Sequence, residues 1–288
     1  MRGVDISPHM INTYHKGCKM KFTALLLLVV TNFFGSLSAQ IFDLNFQYSP
    51  GRVYHYQQQI DMKSEVTFLV ESRINALKGT VNTSFQPHEF TKTGLPFTYK
   101  VESCDLVAST SQEESKLDLK SFQHPYEFSL DSSCKIRNTD SLLERFSSEN
   151  QIVVLMTTRI FPTFCGAARL KGDRWTIQSI DSSDKNKIRD VETTFEFIDL
   201  VDYITEPCVK INYSLVAKSH GESTMGNMEV KFNATENFTG SVLFSQRRKI
   251  ILTNEYTGNI TELLNPVLNE LLTVKRNTKI ELKAVLLE

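Results

Sequence analysis

The 288-residue sequence predicts a mainly β, antiparallel fold: a barrel, half-barrel or sandwich with one or two packed helices, in a chain that is exported. Three observations carry that reading. Apolar and polar residues alternate with period two over most of the chain, turn-forming glycines interrupt the alternating runs, and a short apolar leader precedes them.

The leader comes first. Lys19 and Lys21 precede the apolar run Phe22 to Val30, and the small residues Gly35-Ser36-Leu37-Ser38-Ala39 follow it. A core of about ten apolar residues falls short of the ~20 that a membrane-spanning helix needs, and small residues stand where a signal peptidase cuts. Residues 1–39 are therefore expected to be removed, leaving 40–288 as a single β-rich domain without a transmembrane anchor. A second methionine, Met20, opens the signal directly, so residues 1–19 read as a mis-assigned start; the alternative is a long cytosolic extension. Cys18 precedes the apolar run, so it does not fit a lipoprotein attachment site.

In the mature chain, Tyr54, Tyr56, Ile60 and Met62 alternate with His55, Gln57, Gln59 and Asp61, the pattern of a half-buried strand. Further strands are predicted at Leu77 to Phe85, Phe97 to Val107, Thr193 to Asp199, Val209 to Val216, Met228 to Phe232, Val242 to Phe244, Lys249 to Tyr256 and Thr278 to Leu287. Gly79, Gly172, Gly221, Gly226, Gly240 and Gly258 read as turns or bulges between them. Ser109 to Lys120 and Ser179 to Asp190 are polar enough to be exposed loops.

Two segments read as helices. Asn265-Pro266 has the form of an N-cap followed by proline at the first helical position, with Val267, Leu268, Leu271 and Leu272 at helical spacing. Near Thr139, Ser141 and Glu144 have capping-box spacing, and Leu142, Phe146, Val153 and Met156 recur every three to four residues. The β-branched run Ile152-Val153-Val154 allows instead a helix to about Ser148 and then a strand. Either apolar face could touch lipid, but such a face ordinarily packs on the domain's own sheet.

Composition narrows the partners. Cleavage after Ala39 removes Arg2, Lys16, Lys19, Lys21 and Asp5 and leaves a net charge of −4. No basic patch with interleaved aromatics occurs, so nucleic acid is not an expected partner.

Four cysteines remain after cleavage: Cys104, Cys134, Cys165 and Cys208. An even number in an exported chain reads as two disulfides, and of the three pairings Cys104–Cys134 with Cys165–Cys208 closes the shorter loops. Buried free thiols are the alternative. Five Asn-x-Ser/Thr sequons, at Asn82, Asn212, Asn233, Asn237 and Asn259, mark possible N-glycosylation sites if the source is eukaryotic.

Catalytic signatures are lacking. There is no Gly-x-Ser-x-Gly elbow, Cys165-Gly166 lacks a thiol-protease context, and His55, His88, His124 and His220 each stand alone without metal-ligand spacing. Glu113-Glu114 and Asp181 with Asp184 read as solvated loop carboxylates. Trp175, in Lys171-Gly172-Asp173-Arg174-Trp175, reads as a core anchor at the start of a strand. The expectation is a non-enzyme without cofactor or metal.

The opening of the mature chain, Phe46-Gln47-Tyr48-Ser49-Pro50-Gly51-Arg52-Val53-Tyr54-His55-Tyr56, then Leu77-Lys78-Gly79-Thr80-Val81 and Tyr99-Lys100-Val101-Glu102-Ser103-Cys104-Asp105-Leu106, resembles the N-terminal module of the large lipid transfer proteins, the vitellogenin, apolipophorin and microsomal triglyceride transfer protein family. Pro125-Tyr126-Glu127-Phe128 to Ile136 is similar to the strand pair before that module's central helix. The resemblance implies a β-barrel around a helix, flanking a lipid site. The family's central-helix sequence is not recognisable in Glu149 to Ile160, and its long helical domain is missing. A second resemblance, through Phe161-Pro162, Lys171 to Trp175 and Gly240-Ser241-Val242-Leu243-Phe244, is to secreted β-rich proteins of bacterial envelopes. The resulting expectation is a secreted or envelope lipid-binding or lipid-transfer protein with an apolar lipid ligand. The alternative is an interaction module whose sheet binds a protein, and a hydrolase with a non-sequential site comes third.

Overall fold

Strand alternation dictates the architecture of the computed structural model, which describes residues 41–69, 71–92, 94–110, 113–117, 125–130, 136–137, 161, 168–181, 187–225, 228–267 and 273–287. Among the described residues fourteen strands follow one another: β1 Phe42–Asp43, β2 Tyr54–Phe68, β3 Glu71–Pro87, β4 Leu95–Thr110, β5 Glu114–Lys116, β6 Tyr126–Leu130, β7 Ile136–Arg137, β8 Ala168–Arg169, β9 Arg174–Asp181, β10 Lys187–Tyr203, β11 Glu206–Met225, β12 Met228–Ser245, β13 Ile251–Pro266 and β14 Val274–Leu287. The fold is mainly β, and every pairing is antiparallel. The main sheet runs in the order β7-β6-β4-β3-β2-β14-β13-β12-β11-β10-β9, with β5 added beside β4 and β1-β8 forming a separate pair.

The strands are longer than the sequence pattern predicts. Met228 to Phe232 and Val242 to Phe244 belong to one 18-residue strand, β12. Its interior, Asn233 to Ser241, is rich in small and polar residues and has no apolar run, yet both its neighbours complete its backbone hydrogen bonds. The predicted turns at Gly79, Gly240 and Gly258 are likewise strand interiors. A Cβ on Gly240 would stand 2.5 Å from the Glu255 carbonyl oxygen and 2.5 Å from the ring of Tyr213. Gly240 is therefore the gap into which the neighbouring aromatic ring lies, a cross-strand pairing that replaces a missing side chain with a ring.

The helix start predicted at Asn265-Pro266 is corrected: both residues end β13, opposite Lys231 and Val230 of β12. Pairing across the sheet satisfies this backbone and overrides the local capping signal. Leu268, Leu271 and Leu272 lie outside the described residues. So does the segment Thr139 to Ile160, together with Ser141 and Glu144. The Ser109 to Lys120 segment contains a short strand, β5, and β9 and β10 extend into both ends of the predicted Ser179 to Asp190 loop.

One face of the sheet is a packed core. Tyr56, Ile60, Val81, Phe85, Phe97, Tyr99, Phe195, Phe197, Ile211, Val242, Leu282 and Ala284 are buried on it. The stretch Phe42 to Tyr48 crosses the same face: Phe42 meets Phe197 edge-on, Phe46 meets Phe244, and Tyr48 meets Tyr54 and Phe97. Lys249 holds this strap through its backbone carbonyl, which accepts from the Gln47 amide, and through Nζ, which donates to the Asp43 carbonyl. Tyr48 and Tyr56 bring their hydroxyls within 3.3 Å, and the Tyr56 hydroxyl donates to the Ile251 carbonyl at 2.8 Å. Burial holds both phenols above their usual range. Phe161 joins the same aromatic cluster beside Phe85 and Phe97.

Toward the far end of this face the packing turns polar. Arg189 donates two hydrogen bonds to Glu236, at 3.1 and 3.0 Å, and Arg276 pairs with Glu262 at 3.2 Å. Thr278 donates to Ser64 across β14 and β2. Beyond them Val230, Phe232, Leu264 and Val274 form a small second apolar cluster with Val66 against it.

Candidate functional site

The opposite face carries the groove. Directly paired residues of an antiparallel sheet share a face, so register converts the one-dimensional alternation into rows that cross the strands. One polar row runs Thr176, Thr194, Ser214, Thr239 and Thr257 over β9, β10, β11, β12 and β13, then Glu281, Asp61 and Lys78 over β14, β2 and β3. The adjacent row runs Arg174, Glu196, Asn212, Ser241, Glu255, Lys283, Gln59 and Thr80 over the same strands. Between the two rows lie the backbones of Phe195, Tyr213, Gly240, Tyr256, Leu282, Ile60 and Gly79, whose side chains, where present, point to the core.

Together these residues, Thr176 apart, line a cavity of about 1030 Å³ reached by eight adjacent strands, from β3 to β9; Thr176 stands just beyond its end. The polar face is thus concave at this level. Its hydroxyls begin with a direct cross-strand hydrogen bond, Thr176 Oγ1 to Thr194 Oγ1 at 3.0 Å. Ser214, Thr239 and Thr257 are exposed on the strands that follow.

Charge in the groove is cancelled locally. Lys78 pairs with Asp61 at 3.2 Å, Lys283 with Glu255 at 2.6 Å, and Lys279, just beyond the lining, with Glu281 at 2.7 Å. Arg174 and Glu196 face each other in register on β9 and β10. The hydrogen bond from Lys279 to Glu281 and that from Lys283 to Glu255 raise both ammonium pKa values.

The predicted site residues distribute as follows. Asn82, Asn212, Asn233, Asn237 and Asn259 all sit on strands β3, β11, β12 and β13, and all five lie on the polar face; Asn212 lines the groove itself. Asn82 is held between Gln57 and Ser103 by side-chain hydrogen bonds. Cys104 and Cys208 are free thiols in this structure, so neither predicted bridge is formed at them; Cys134 and Cys165 lie outside the described residues. Burial pushes the Cys104 thiol up, and it pushes Cys208 up to about 11.

His55 pairs with Glu102 at 3.0 Å, His88 meets Thr98 at 2.6 Å, and His220 is exposed on β11; His124 lies outside the described residues. Among the described residues no three of His, Cys, Asp and Glu gather where a metal ion could be held. Glu113 and Glu114 are exposed, and Asp184 lies outside the described residues. Trp175 stacks on Phe195 at 5.4 Å beneath the Arg169 guanidinium, 4.7 Å from its ring. Among the described residues no helix is long and apolar enough to cross a membrane.

A second charged cluster stands where β11 begins. Burial raises the Glu206 carboxyl, but hydrogen bonds from Arg248 and from Ser245 outweigh it and hold the carboxyl below the usual range. Arg248 reaches it at 2.7 Å. This cluster ties the β10-β11 turn to the β12-β13 turn.

Sequence reasoning missed the groove. Its residues are the ordinary outward halves of eight amphipathic strands, and the only available signal was the run of Thr and Ser at outward positions.

No protein-family model matches the chain, and no curated protein matches it. Among solved structures it is similar to an exported protein with a YmcC-like fold from Bacteroides fragilis, at 10% identity over 84% of this chain and 96% of that one, with a TM-score of 0.20. It is also similar to OccK11 (OpdR) of Pseudomonas aeruginosa, at 6% identity over 86% and 100% of the two chains, with a TM-score of 0.19.

Proposed function

We propose that this chain is an exported, non-catalytic binding module that receives a polar partner in the groove on the exposed face of its sheet. The observation that carries the reading is the division of labour between faces: aromatic side chains interlock on one, and a cavity of about 1030 Å³ lined by polar side chains opens on the other. A cavity that size equals the upper end of the range that holds drug-sized ligands, and its wall is a rigid sheet. Export rests on the leader at Lys19 to Ala39.

The test uses the mature chain from Gln40, fluorescently labelled, on envelopes or intact cells of its own source. Saturable binding that is lost in Ser214→Arg with Thr239→Arg is expected, because both side chains are exposed and away from the core. Binding that does not saturate, or that the variant retains, overturns the proposal.

Lipid binding is the second proposal, together with the half-barrel closed by a helix from the Thr139 to Ile160 region. What supports it is a second apolar cluster, Val230, Phe232, Leu264 and Val274, separate from the main core. Lipid extracted with the purified protein, or uptake of a fluorescent fatty acid, is its expected signature. Absence of both rejects it.

A further inference from the structure

We infer that the ligand of the polar groove is a neutral oligosaccharide, bound across the strands along the hydroxyl ladder Thr176, Thr194, Ser214, Thr239 and Thr257. The inference rests on the binding-module reading and names its ligand class. Four properties of the groove select this chemistry.

The groove lies on the face of the sheet, and from β3 to β10 each strand is flanked by paired neighbours. Their backbone donors and acceptors are already used, so a peptide cannot add to them as a new strand; only side chains meet the ligand. Eight of those side chains are hydroxyls or amides, each both donor and acceptor, which suits a ligand that presents hydroxyls of the same dual character; the other seven are charged.

Spacing agrees with that. Adjacent strands lie ~4.8 Å apart, so the five hydroxyls recur at that pitch over about 19 Å. The pitch is close to the length of one pyranose ring in an extended chain. An oligosaccharide laid across the strands therefore meets a donor-acceptor group at nearly every ring, with Asn212 and Ser241 of the second row reaching its other edge.

Charge excludes the common alternatives. Asp61, Glu255 and Glu281 are each paired with a lysine, and Glu196 faces Arg174. A polyanion such as nucleic acid or a sulfated glycan finds no surplus of cations, and a cationic peptide finds no unpaired acidic stripe. An acyl chain meets no large apolar side chain in the groove, since Ile60, Leu282, Phe195 and Tyr256 turn theirs to the other face and are buried there. A neutral ligand leaves the ion pairs intact.

The size fits several sugar rings and exceeds what a monosaccharide would need. Binding is expected to improve with chain length until the ladder is filled.

Affinity gel electrophoresis of the mature chain tests this against a fixed panel. Soluble β-1,4-glucan, α-1,4-glucan, β-1,4-mannan and xylan are the neutral probes; heparin and polygalacturonate are the charged ones. Retardation by at least one neutral glycan, with competition by its oligosaccharides and little dependence on salt, is the expected result. The triple variant Ser214→Ala, Thr239→Ala and Thr257→Ala should bind that glycan about tenfold to a thousandfold more weakly, as the loss of three hydrogen bonds of ordinary net worth implies. Its unchanged denaturation midpoint shows that the loss is local. Retardation by the charged glycans alone, by no glycan in the panel, or equally in the triple variant overturns the inference. If labelled protein still binds its own envelopes saturably and the arginine variant does not, the binding-module reading survives such a failure and the partner is a polar protein surface. If envelope binding fails as well, both readings fall.

Discussion

The two faces of the main sheet share every strand and every backbone hydrogen bond and differ only in which alternate side chains they carry. On one face Phe85 touches Tyr56, Tyr99, Phe128 and Phe161, so moving any ring disturbs several others. On the other, Ser214, Thr239 and Thr257 are exposed on neighbouring strands and each can change without repacking. Stability is therefore concentrated on one face, and the other can be given over to recognition at little cost in folding free energy.

Breaking the apolar face should have the largest effect. Gly240→Val places a side chain against the Glu255 carbonyl and the Tyr213 ring, and should cost about 4 kcal/mol or more, enough to threaten folding. Phe85→Ala leaves a cavity among four aromatic rings and should cost about 3–5 kcal/mol. Urea denaturation of both variants measures this; midpoints near that of the parent protein would show that the aromatic face is not the stability centre.

The polar end of the same face comes next. Arg189→Met removes two charge-assisted hydrogen bonds from Glu236, which is 8% exposed, and should destabilise by about 2–3 kcal/mol. The double variant Arg189→Met with Glu236→Leu should recover much of that loss. A double variant as unstable as the single would show that packing, and not the charge pair, dominates.

Across the sheet the contrast should be sharp. Each of Ser214→Ala, Thr239→Ala and Thr257→Ala should alter stability by no more than about 0.5 kcal/mol. A larger loss from any of them would mean that the ladder is structural.

Chemistry at the thiols sharpens the comparison further. With its thiol held to about 11, Cys208 should resist iodoacetamide at neutral pH until the protein is unfolded. Peptide mass mapping reads this directly. A requirement for reductant as well as denaturant would show that Cys208 is not a free thiol and overturn this prediction.

The smallest effect concerns acid. Glu206 is depressed below its ordinary value near 4.5, so its contribution is complete above that value and is lost as pH falls through the depressed one. Glu206→Gln should flatten the acid limb of the stability profile. An unchanged limb would assign acid lability to other carboxylates.

The alternation in Tyr54 to Met62 and in Thr278 to Leu287 determined, without any tertiary information, which side chains of β2 and β14 turn inward. Period-two patterning is a local consequence of strand geometry, so it was legible residue by residue. The mainly β class followed from it. The two-residue turn at Ile204-Thr205 was not legible, because it uses β-branched residues at φ 48° and 62° where a hairpin signal would be Asn-Gly. Nor was the true length of β12, whose central residues are strand only because β11 and β13 hydrogen-bond to them.

The candidate site belonged wholly to that second kind. Thr176, Thr194, Ser214, Thr239 and Thr257 are scattered over 82 residues of sequence, and nothing in their neighbours marks them out. They became one row when five strands paired in a single register. Register is fixed by turns, by bulges such as that between Leu243 and Phe244, and by the fit of Tyr213 over Gly240. The sequence by itself determined the sheet's two faces, and it carries the leader from which export is expected. Only the tertiary structure decided that the polar face is concave and which hydroxyls line it, because both depend on hydrogen bonds between residues far apart in the chain.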